Sequence, residues 1–336
     1  MPPTRTLLVI DGNSLIHRAY HAGASEGHLD RDGRPIWALR GLVGYIARAA
    51  AHLRPEALLV GFDCPEDSAR RVEYPGYKAH RPDKPADLSA QIAVAPAMLR
   101  AAGIRVVVPP AYEADDVLAS SAEHARRNGW RSVLMTSDRD AFALIDETTS
   151  VLRVRNGGFD EAVLVDAEAL PVLYGVHPWQ YRDFAALRGD PSDNLPGVRR
   201  YGETTATKLL SSFGTIEAAW DSGPAGVREV VGDLAAGTLC EPEMRAVVEL
   251  NRRIMRMRTD LPLPELHEAG LPLNLMVMRQ ALREHGVILG PSLWALTGGA
   301  PPDNPAGDLT PELGRWVFRR GLSGKRDPIP GQLSLF

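Results

Sequence analysis

Three short apolar runs, each followed by an aspartate, are the feature of the sequence that most constrains its fold. Residues 7–10 lead to Asp11, residues 57–62 to Asp63 and residues 132–136 to Asp138. Amphipathic helical patterns lie between the runs, near residues 37–53, 88–102 and 114–127. Apolar strands that alternate with helices predict an α/β fold with a parallel sheet. Ligands of such sheets bind at the carboxyl ends of the strands, so we expect the three aspartates to share one site, although each alone could simply cap the next helix.

Composition sets a few limits on the class of protein. The chain has 336 residues, which favours one large domain and a smaller one. It has no apolar run long enough for a membrane span and no secretion signal at its start, so we expect a cytoplasmic protein with no membrane partner. Cys64 and Cys240 are too few for a four-ligand zinc site and are interpreted as packing residues. The net charge of −4 argues weakly against a nucleic-acid partner unless metal ions neutralise part of it.

A larger set of acidic residues accompanies these aspartates and is centred on Tyr-Glu-Ala-Asp-Asp at residues 112–116. The predicted metal ligands are Asp11, Asp63, Glu113, Asp115, Asp116, Asp138, Asp140, Asp190 and Asp193. A cleft lined with so many carboxylates needs cations, and an all-oxygen set favours Mg²⁺ or Mn²⁺ over zinc. Two ions about 4 Å apart, or a set of three, would suit displacement at phosphorus. The alternatives are an acidic surface that aids solubility and a calcium-stabilised loop, although no EF-hand pattern is present.

Residues 68–86 interrupt the strand and helix pattern with basic, aromatic, proline and glycine residues. A segment of this composition cannot be a core element. It is either a solvated basic loop or a mobile arm, whose cations bind phosphates and whose aromatic ring stacks on a base.

From about residue 187 the sequence changes to a turn-rich acidic loop followed by helices. Gly202 is predicted to open a helix that runs to Phe213, Gly214 to end it and Thr215 to cap the next one. Two short helices joined by a glycine-containing turn can direct backbone N–H groups at a phosphate. We therefore predict that residues 190–213 contact the backbone of a nucleic acid.

Five sequence motifs follow one another between residues 5 and 290. They are Asp-Gly-Asn-Ser-Leu-Ile-His-Arg at 11–18, Gly-Tyr-Lys-Ala-His-Arg at 76–81, Tyr-Glu-Ala-Asp-Asp-Val at 112–117, Thr-Ser-Asp-Arg-Asp at 136–140, and Gly-Asp-Pro-Ser-Asp-Asn-Leu-Pro-Gly-Val at 189–198. This set resembles the bacterial 5′-nuclease family, which includes the N-terminal exonuclease domain of DNA polymerase I and is related to flap endonucleases. The resemblance implies a PIN-like α/β fold with a helical arch and a helix-three-turn-helix element. It also implies cleavage of DNA flaps, nicks and 5′ ends in replication and repair, by a nucleoid-associated enzyme.

The resemblance also implies individual roles. Asp11, Asp63, Glu113 and Asp115 match the first metal site, and Asp138, Asp140 and Asp193, with Asp115 or Asp116 and with Asp190, match the second. Arg18, Arg70, Lys78 and Arg81 match cations that hold phosphates near the cleaved bond, and Tyr77 matches a ring that stacks there. Arg199, Arg200, Gly202, Thr204 and Lys208 match the duplex-binding element, which often holds K⁺. The implied divisions are a core at 1–175 with the arch at 68–86, a helical region at 176–298, and a tail at 299–336.

Two positions of the duplex-binding turn depart from the family pattern Gly-Val-Lys-Gly-Ile-Gly-Glu-Lys-Thr-Ala. Arg200 stands where the family has a glycine, and Thr204 where it has a lysine. If the lost glycine adopts a positive φ, Arg200 strains the turn, which puts the K⁺ site and the affinity for duplex DNA in doubt. Arg199, Arg200 and Lys208 are expected to supply the missing positive charge.

The last five residues, Gln-Leu-Ser-Leu-Phe, resemble the peptide with which bacterial replication proteins bind the β sliding clamp. Leu333, Leu335 and Phe336 suit an apolar pocket, and Gln332 suits its polar rim. The Pro- and Gly-rich segment before them would act as a flexible linker. The alternative is an apolar terminus that folds back onto the core. Because no polymerase domain follows residue 300, a stand-alone nuclease is expected.

Two other function classes compete with the nuclease. A catalytically silent DNA-binding scaffold would lack some of the carboxylates, and none is missing here. A ribonuclease of the related small α/β type would be shorter and would lack both the arch and the duplex-binding helices. Cleavage assays on variants of Asp115 and Asp138 separate the nuclease from the scaffold.

Overall fold

A six-stranded sheet forms the centre of the protein. The computed structural model describes residues 5–23, 27–156, 158–289 and 293–301. The strands are β1 Thr6–Asp11, β2 Ala57–Gly61, β3 Arg105–Val107, β4 Arg131–Thr136, β5 Thr149–Arg155 and β6 Gly158–Val165, in the order β3-β2-β1-β4-β5-β6. The first five are parallel, which agrees with the predicted parallel sheet, although only β1, β2 and β4 correspond to runs that the sequence analysis identified, and β6 runs antiparallel to β5. The two residues between β5 and β6 are too few for the crossover that a parallel pair needs, so the sheet is mixed at this edge.

Thirteen α-helices lie in the part of the chain that the structure describes. They are α1 Gly12–Gly23, α2 Trp37–Leu53, α3 Ala69–Glu73, α4 Ala86–Ala101, α5 Ala114–Arg127, α6 Ala169–Tyr174, α7 Pro178–Arg188, α8 Glu203–Phe213, α9 Ile216–Asp221, α10 Gly223–Val231, α11 Asp233–Leu239, α12 Pro242–Ile254 and α13 Leu275–Glu284. Short 3-10 helices cover Asp140–Leu144, Pro191–Asp193 and Leu266–Ala269. None of these described helices combines the length and apolarity that crossing a membrane requires.

Two apolar layers cover the two faces of the sheet. Along β1, Leu7 and Val9 belong to the layer that contains α5, whereas Leu8 and Ile10 belong to the layer that contains α2. A strand buried on both faces is apolar at every position, which explains why the runs were recognisable as strands. Each such side chain contributes about 1.5–3 kcal/mol by leaving water, so the carboxyl edge of the sheet is a rigid platform.

The helical region predicted after residue 187 is confirmed. Gly202 precedes α8, Gly214 follows it, and the hydroxyl of Thr215 accepts a hydrogen bond from the amide of Ala218 at the start of α9. The basic segment 68–86 is less helical than an arch, since α3 is its only complete helix and turns follow.

Candidate metal centre and nucleic-acid interface

Acidic side chains meet at the carboxyl edge of the sheet, as the strand pattern predicted. Asp11 ends β1, and its two carboxylate oxygens accept hydrogen bonds from the amide of Ser14 at 2.8 Å and the hydroxyl of Thr136 at 2.7 Å. Thr136 is the last residue of β4, the strand beside β1. The neighbouring strand therefore orients this carboxylate.

The second acidic position, Asp63, connects β2 to the start of α5. One carboxylate oxygen accepts a hydrogen bond from the side-chain amide of Asn13 at 2.9 Å, and the other accepts one from the backbone amide of Ala114 at 2.9 Å. This bond to the first turn of α5 draws Glu113 and Asp115 to the same edge, where the positive end of the helix favours negative charge.

The remaining acidic residues continue the cluster towards the loop before α8. The amide of Asp140 donates to the carboxylate of Asp138 at 2.9 Å, and the amide of Ser192 donates to that of Asp190 at 2.7 Å. Burial first, and then the charges of Asp190 and Asp193, raise the pKa of Asp138. The structure thus brings the predicted residues of both metal sites into one cluster.

Burial and mutual repulsion make this cluster a poor place for uncompensated negative charge. Burial, together with Asp63 and Asp138, raises the pKa of Asp11 to about 7. Burial and neighbouring carboxylates also raise the pKa of Asp115 and of Asp140 well above the usual range. Carboxylates in such surroundings are stabilised by a hard cation, so the donor set fits a divalent metal ion.

The positions of the acidic side chains also bear on how a metal ion could be held. Among the described residues, no three acidic, histidine or cysteine side chains are placed to hold one ion as they stand. Mg²⁺ commonly takes one or two carboxylates and keeps several water molecules, so it does not require a cage made by the protein alone.

Asp116 departs from the prediction that it binds metal. Its side chain is fully buried, and Arg70 donates to both of its oxygens, at 2.7 and 2.9 Å. The amides of Glu113 and Arg258 also donate to it, at 3.0 and 2.8 Å. With four donors around it, Asp116 holds the basic segment and the start of α5 in place, and we remove it from the ligand set.

The basic segment 68–86 is anchored at Glu113. One oxygen of this carboxylate accepts hydrogen bonds from the Tyr77 hydroxyl at 2.9 Å, from the Lys78 ammonium at 3.0 Å and from Arg70 at 3.3 Å. Because the Tyr77 ring is only 4% exposed, it cannot stack on a base as predicted, and it serves to position Glu113. Lys78 has the best placement of the predicted cations, since its charge also faces Asp63, Asp115 and Asp138.

Contacts with the loop at 190–195 hold the same segment from the other side. The amide of Lys78 donates to the carbonyl of Asp193 at 3.0 Å, and the side chain of Asn194 donates to the carbonyl of Gly76 at 2.8 Å. Arg81 forms an ion pair with the carboxylate of Asp193. Arg18 lies apart from these residues and donates to the side chain of Asn156 at the β5–β6 turn.

The predicted duplex-binding turn is built on two closely packed backbone segments. A side chain on Gly197 would place its Cβ 2.0 Å from the carbonyl oxygen of Arg188, so only glycine fits there. Arg200 has a φ of 72°, which confirms that the position replacing the family's glycine is left-handed. Arg199 forms an ion pair with Glu241, while Thr204 and Lys208 are exposed on α8 and Gly202 is exposed at its start.

Sequence reasoning missed the polar residues that orient the carboxylates. Asn13 binds both the side chain and the amide of Asp63, Thr136 binds Asp11, and the hydroxyls of Ser14 and Ser137 bind each other between the two strands. Each of them stands within three residues of a predicted ligand. Their closeness in sequence to the predicted ligands is the signal that could have identified them.

A sheet that gathers carboxylates at one edge, followed by a small helical domain, defines a PIN-like, resolvase-type fold with a SAM-like domain. The chain belongs to the 5′-3′ exonuclease family. Its residues 6–171 match the model of the 5′-3′ exonuclease N-terminal resolvase-like domain, and residues 176–274 match that of the C-terminal SAM fold.

The curated relatives are longer proteins. DNA polymerase I of Mycobacterium tuberculosis is 37% identical over 260 residues, which are 77% of this chain and 28% of that polymerase. The thermostable DNA polymerase I of Thermus aquaticus is 31% identical over 313 residues, 90% of this chain and 35% of the polymerase. The chain therefore spans about a third of the length of these relatives.

Solved structures share the fold at low sequence identity. The 5′-exonuclease of bacteriophage T5 with bound zinc has a TM-score of 0.61 and 18% identity, and the match covers 83% of this chain and 98% of that one. Human GEN1 in complex with Holliday junction DNA has a TM-score of 0.55 and 13% identity, covering 86% of this chain and 71% of that one.

Proposed function

We propose that this chain is a divalent-metal-dependent phosphodiesterase that acts on DNA as a 5′-3′ exonuclease and flap endonuclease. The observation that carries the proposal is the cluster of buried carboxylates at the sheet edge, which lies directly beside the cationic segment 68–86. The T5 flap endonuclease, which shares the fold, was solved with DNA and metal ions. Its substrate class suits a cleft in which cations face a hard-metal centre.

We assign Asp11, Asp63, Glu113 and Asp115 to one ion, and Asp138, Asp140, Asp193 and Asp190 to a second. When bound, two Mg²⁺ or Mn²⁺ ions would supply positive charge for displacement at the phosphorus of the phosphodiester. The protein itself contributes position and charge. Lys78 and Arg81 bind phosphate oxygens, and Tyr77 fixes the carboxylate of Glu113 through its hydroxyl.

Duplex DNA is proposed to bind at residues 190–213, through backbone amides at the start of α8 and through the exposed Lys208, Arg199 and Arg200. A K⁺ ion at this turn, the primer- and flap-removing role in replication and repair, and a nucleoid-associated cytoplasmic location all stay predictions. The left-handed Arg200 supports the K⁺ proposal in one respect, because the backbone keeps the shape that the family's glycine would give it.

The decisive experiment compares cleavage of a 5′-labelled flap substrate in Mg²⁺ by the wild type, Asp115→Ala and Asp138→Ala. Loss of cleavage in both variants is expected, with Asp221→Ala, an exposed aspartate of the helical region, as the unaffected control. Normal cleavage by both variants would refute the two-metal assignment. Binding of the flap by the wild type without any cleavage would favour the silent scaffold.

The sliding clamp is proposed as a partner through residues 332–336, which lie outside the described residues. A pull-down with purified β clamp tests this with the full chain and with a variant that carries Leu335→Ala and Phe336→Ala. The variant is expected to lose binding, and equal recovery of both proteins contradicts the proposal. A short peptide of this kind gives an affinity on the order of micromolar.

A further inference from the structure

Two arginines on the β5 side of the sheet, Arg18 and Arg153, have no acidic partner within salt-bridge distance among the described residues. Arg18 of α1 donates to the amide oxygen of Asn156. Arg153 of β5 donates to the Tyr174 hydroxyl at 3.1 Å and to the carbonyl of Ser137 at 3.4 Å. These acceptors are all neutral, and both arginines are half-buried. Half-buried cations with neutral partners are unfavourable until an anion arrives.

Arg153 lies beside the catalytic edge of the sheet. It pairs in register with Thr136, the residue whose hydroxyl orients Asp11. Its Nε approaches the carbonyl of Ser137, which directly precedes Asp138 in the chain. The guanidinium of Arg153 therefore lies next to the backbone that leads from β4 to Asp138, one of the proposed metal ligands.

Arg48 extends the cationic surface outwards from Arg18. The hydroxyl of Tyr45 is within electrostatic range of both guanidinium groups. Arg48 forms an ion pair with the exposed Asp160 and lies over the Phe159 ring at 4.6 Å. In the described part of the chain, the buried Nε atoms of Arg18 and Arg48 have no hydrogen-bond partner. Arg153 is within electrostatic range of Arg18, and both Arg18 and Arg48 contact residues at the β5–β6 hairpin, so the three arginines form one cationic surface there.

We propose that Arg153, Arg18 and Arg48 form a phosphate track, which holds the DNA strand on the β5 side of the metal centre. The planar guanidinium group matches two phosphate oxygens at once, and arginine stays charged when it is partly buried. A phosphate would also give Arg18 and Arg153 the negatively charged partner that neither has among the described residues. The proposal rests on the proposed function and adds Arg153 and Arg48 to the residues that contact the substrate.

The first test measures the affinity for a labelled 5′-flap DNA in Ca²⁺ instead of Mg²⁺, as a function of salt. Arg153→Gln is expected to weaken binding about tenfold. It should also reduce the slope of log affinity against log salt concentration by about one, the value for one lost phosphate contact, whereas Arg153→Lys should keep most of that slope. The matched control is Arg100→Gln, an exposed arginine at the β3 edge of the sheet, which is expected to bind like the wild type. Unchanged affinity and slope in Arg153→Gln would overturn the track.

A second variant separates phosphate binding from a structural role. Tyr174→Phe removes the hydroxyl that Arg153 contacts but keeps the guanidinium, so it is expected to bind DNA like the wild type. If Tyr174→Phe weakens binding as much as Arg153→Gln does, the role of Arg153 is structural and the track is wrong.

Neutral methylphosphonate groups, placed one linkage at a time, locate the contact. At one linkage the wild type loses affinity and Arg153→Gln loses nothing further, because the partner is already gone. If only removal of the 5′-terminal phosphate gives this result, the track holds the strand end, and if an internal linkage gives it, the track holds the backbone. Additive losses at every linkage contradict the proposal. A wild type that binds flap DNA but never cleaves it in Mg²⁺ would refute the proposed nuclease and leave the track standing as a DNA contact.

Discussion

The ammonium group of Lys78 lies 3.0 Å from Oε2 of Glu113, and this one oxygen also accepts hydrogen bonds from Tyr77 and Arg70. A residue of the basic segment thus meets a carboxylate at the start of α5 inside the acidic cluster. The contact places a positive charge where a phosphate would bind. Glu113 therefore connects the basic segment to the proposed metal centre.

Replacing Lys78 by methionine is expected to lower the turnover number for flap cleavage about a hundredfold and to change KM little. Such a difference arises when a cation stabilises charge that develops in the transition state. Steady-state kinetics on a labelled flap measure both constants. Arg100→Met, at an exposed arginine near the β3 edge of the sheet, is the control and should change neither by more than about threefold. Equal losses of turnover and affinity in Lys78→Met would instead indicate a simple phosphate anchor.

Substitution by asparagine should change the free energy of unfolding in opposite directions at the adjacent residues Asp115 and Asp116. Asp116→Asn breaks the buried pair with Arg70 and is expected to lower the free energy of unfolding by about 3–5 kcal/mol. Asp115→Asn removes a charge that its acidic neighbours repel, and is expected to raise the metal-free value by about 1 kcal/mol while abolishing cleavage. Urea denaturation in EDTA measures both. Similar stability changes in the two variants would contradict the roles assigned here.

The raised pKa of Asp11 predicts how stability and metal binding depend on pH. Unfolding returns this carboxyl group from a pKa of about 7 to 3.8, so the metal-free folded protein holds the extra proton between these values. Its stability therefore falls as the pH rises through this window, and Mg²⁺, which displaces the proton, binds more tightly as the pH approaches 7. The rise in Tm caused by Mg²⁺ should grow from pH 5.5 to 7.5. Asp11→Asn should flatten this trend, and an equally steep trend in that variant would exclude Asp11 as its source.

Restoring glycine at the strained turn should stabilise the protein. Arg200 has a φ of 72°, a conformation that costs a non-glycine residue about 1 kcal/mol or more. Arg200→Gly is therefore expected to raise the Tm by a few degrees. The neighbouring Arg199 does not have a positive φ, so Arg199→Gly should lower the Tm. Measurement of duplex affinity in the same two variants shows whether either charge contributes to DNA binding.

The aspartates at the ends of the strands could be predicted from the sequence because the pattern that locates them lies in neighbouring residues. A strand buried on both faces is apolar throughout, and the residue after it must lie at the sheet edge, which located Asp11, Asp63 and Asp138. The helices α2 and α5 followed from their periodicity, and the caps around α8 from Gly214 and Thr215. β3, β5 and β6 escaped prediction. β3 has only three residues, with exposed or half-buried side chains, and β5 and β6 mix half-buried or exposed side chains with buried ones, so none of them is a continuous apolar run.

The sequence by itself determined the strands β1, β2 and β4, their acidic ends and the order of the family motifs, since each depends on residues that are close along the chain. Only the tertiary structure decided which of two adjacent aspartates is available to a metal ion. Asp116 is taken by Arg70, which comes from 46 positions away, and successive helix residues point in directions about 100° apart. The burial of Tyr77 and the neutral surroundings of Arg153 were decided in the same way. In each case the partner comes from a distant part of the chain, and a local pattern carries no record of a contact that only folding creates.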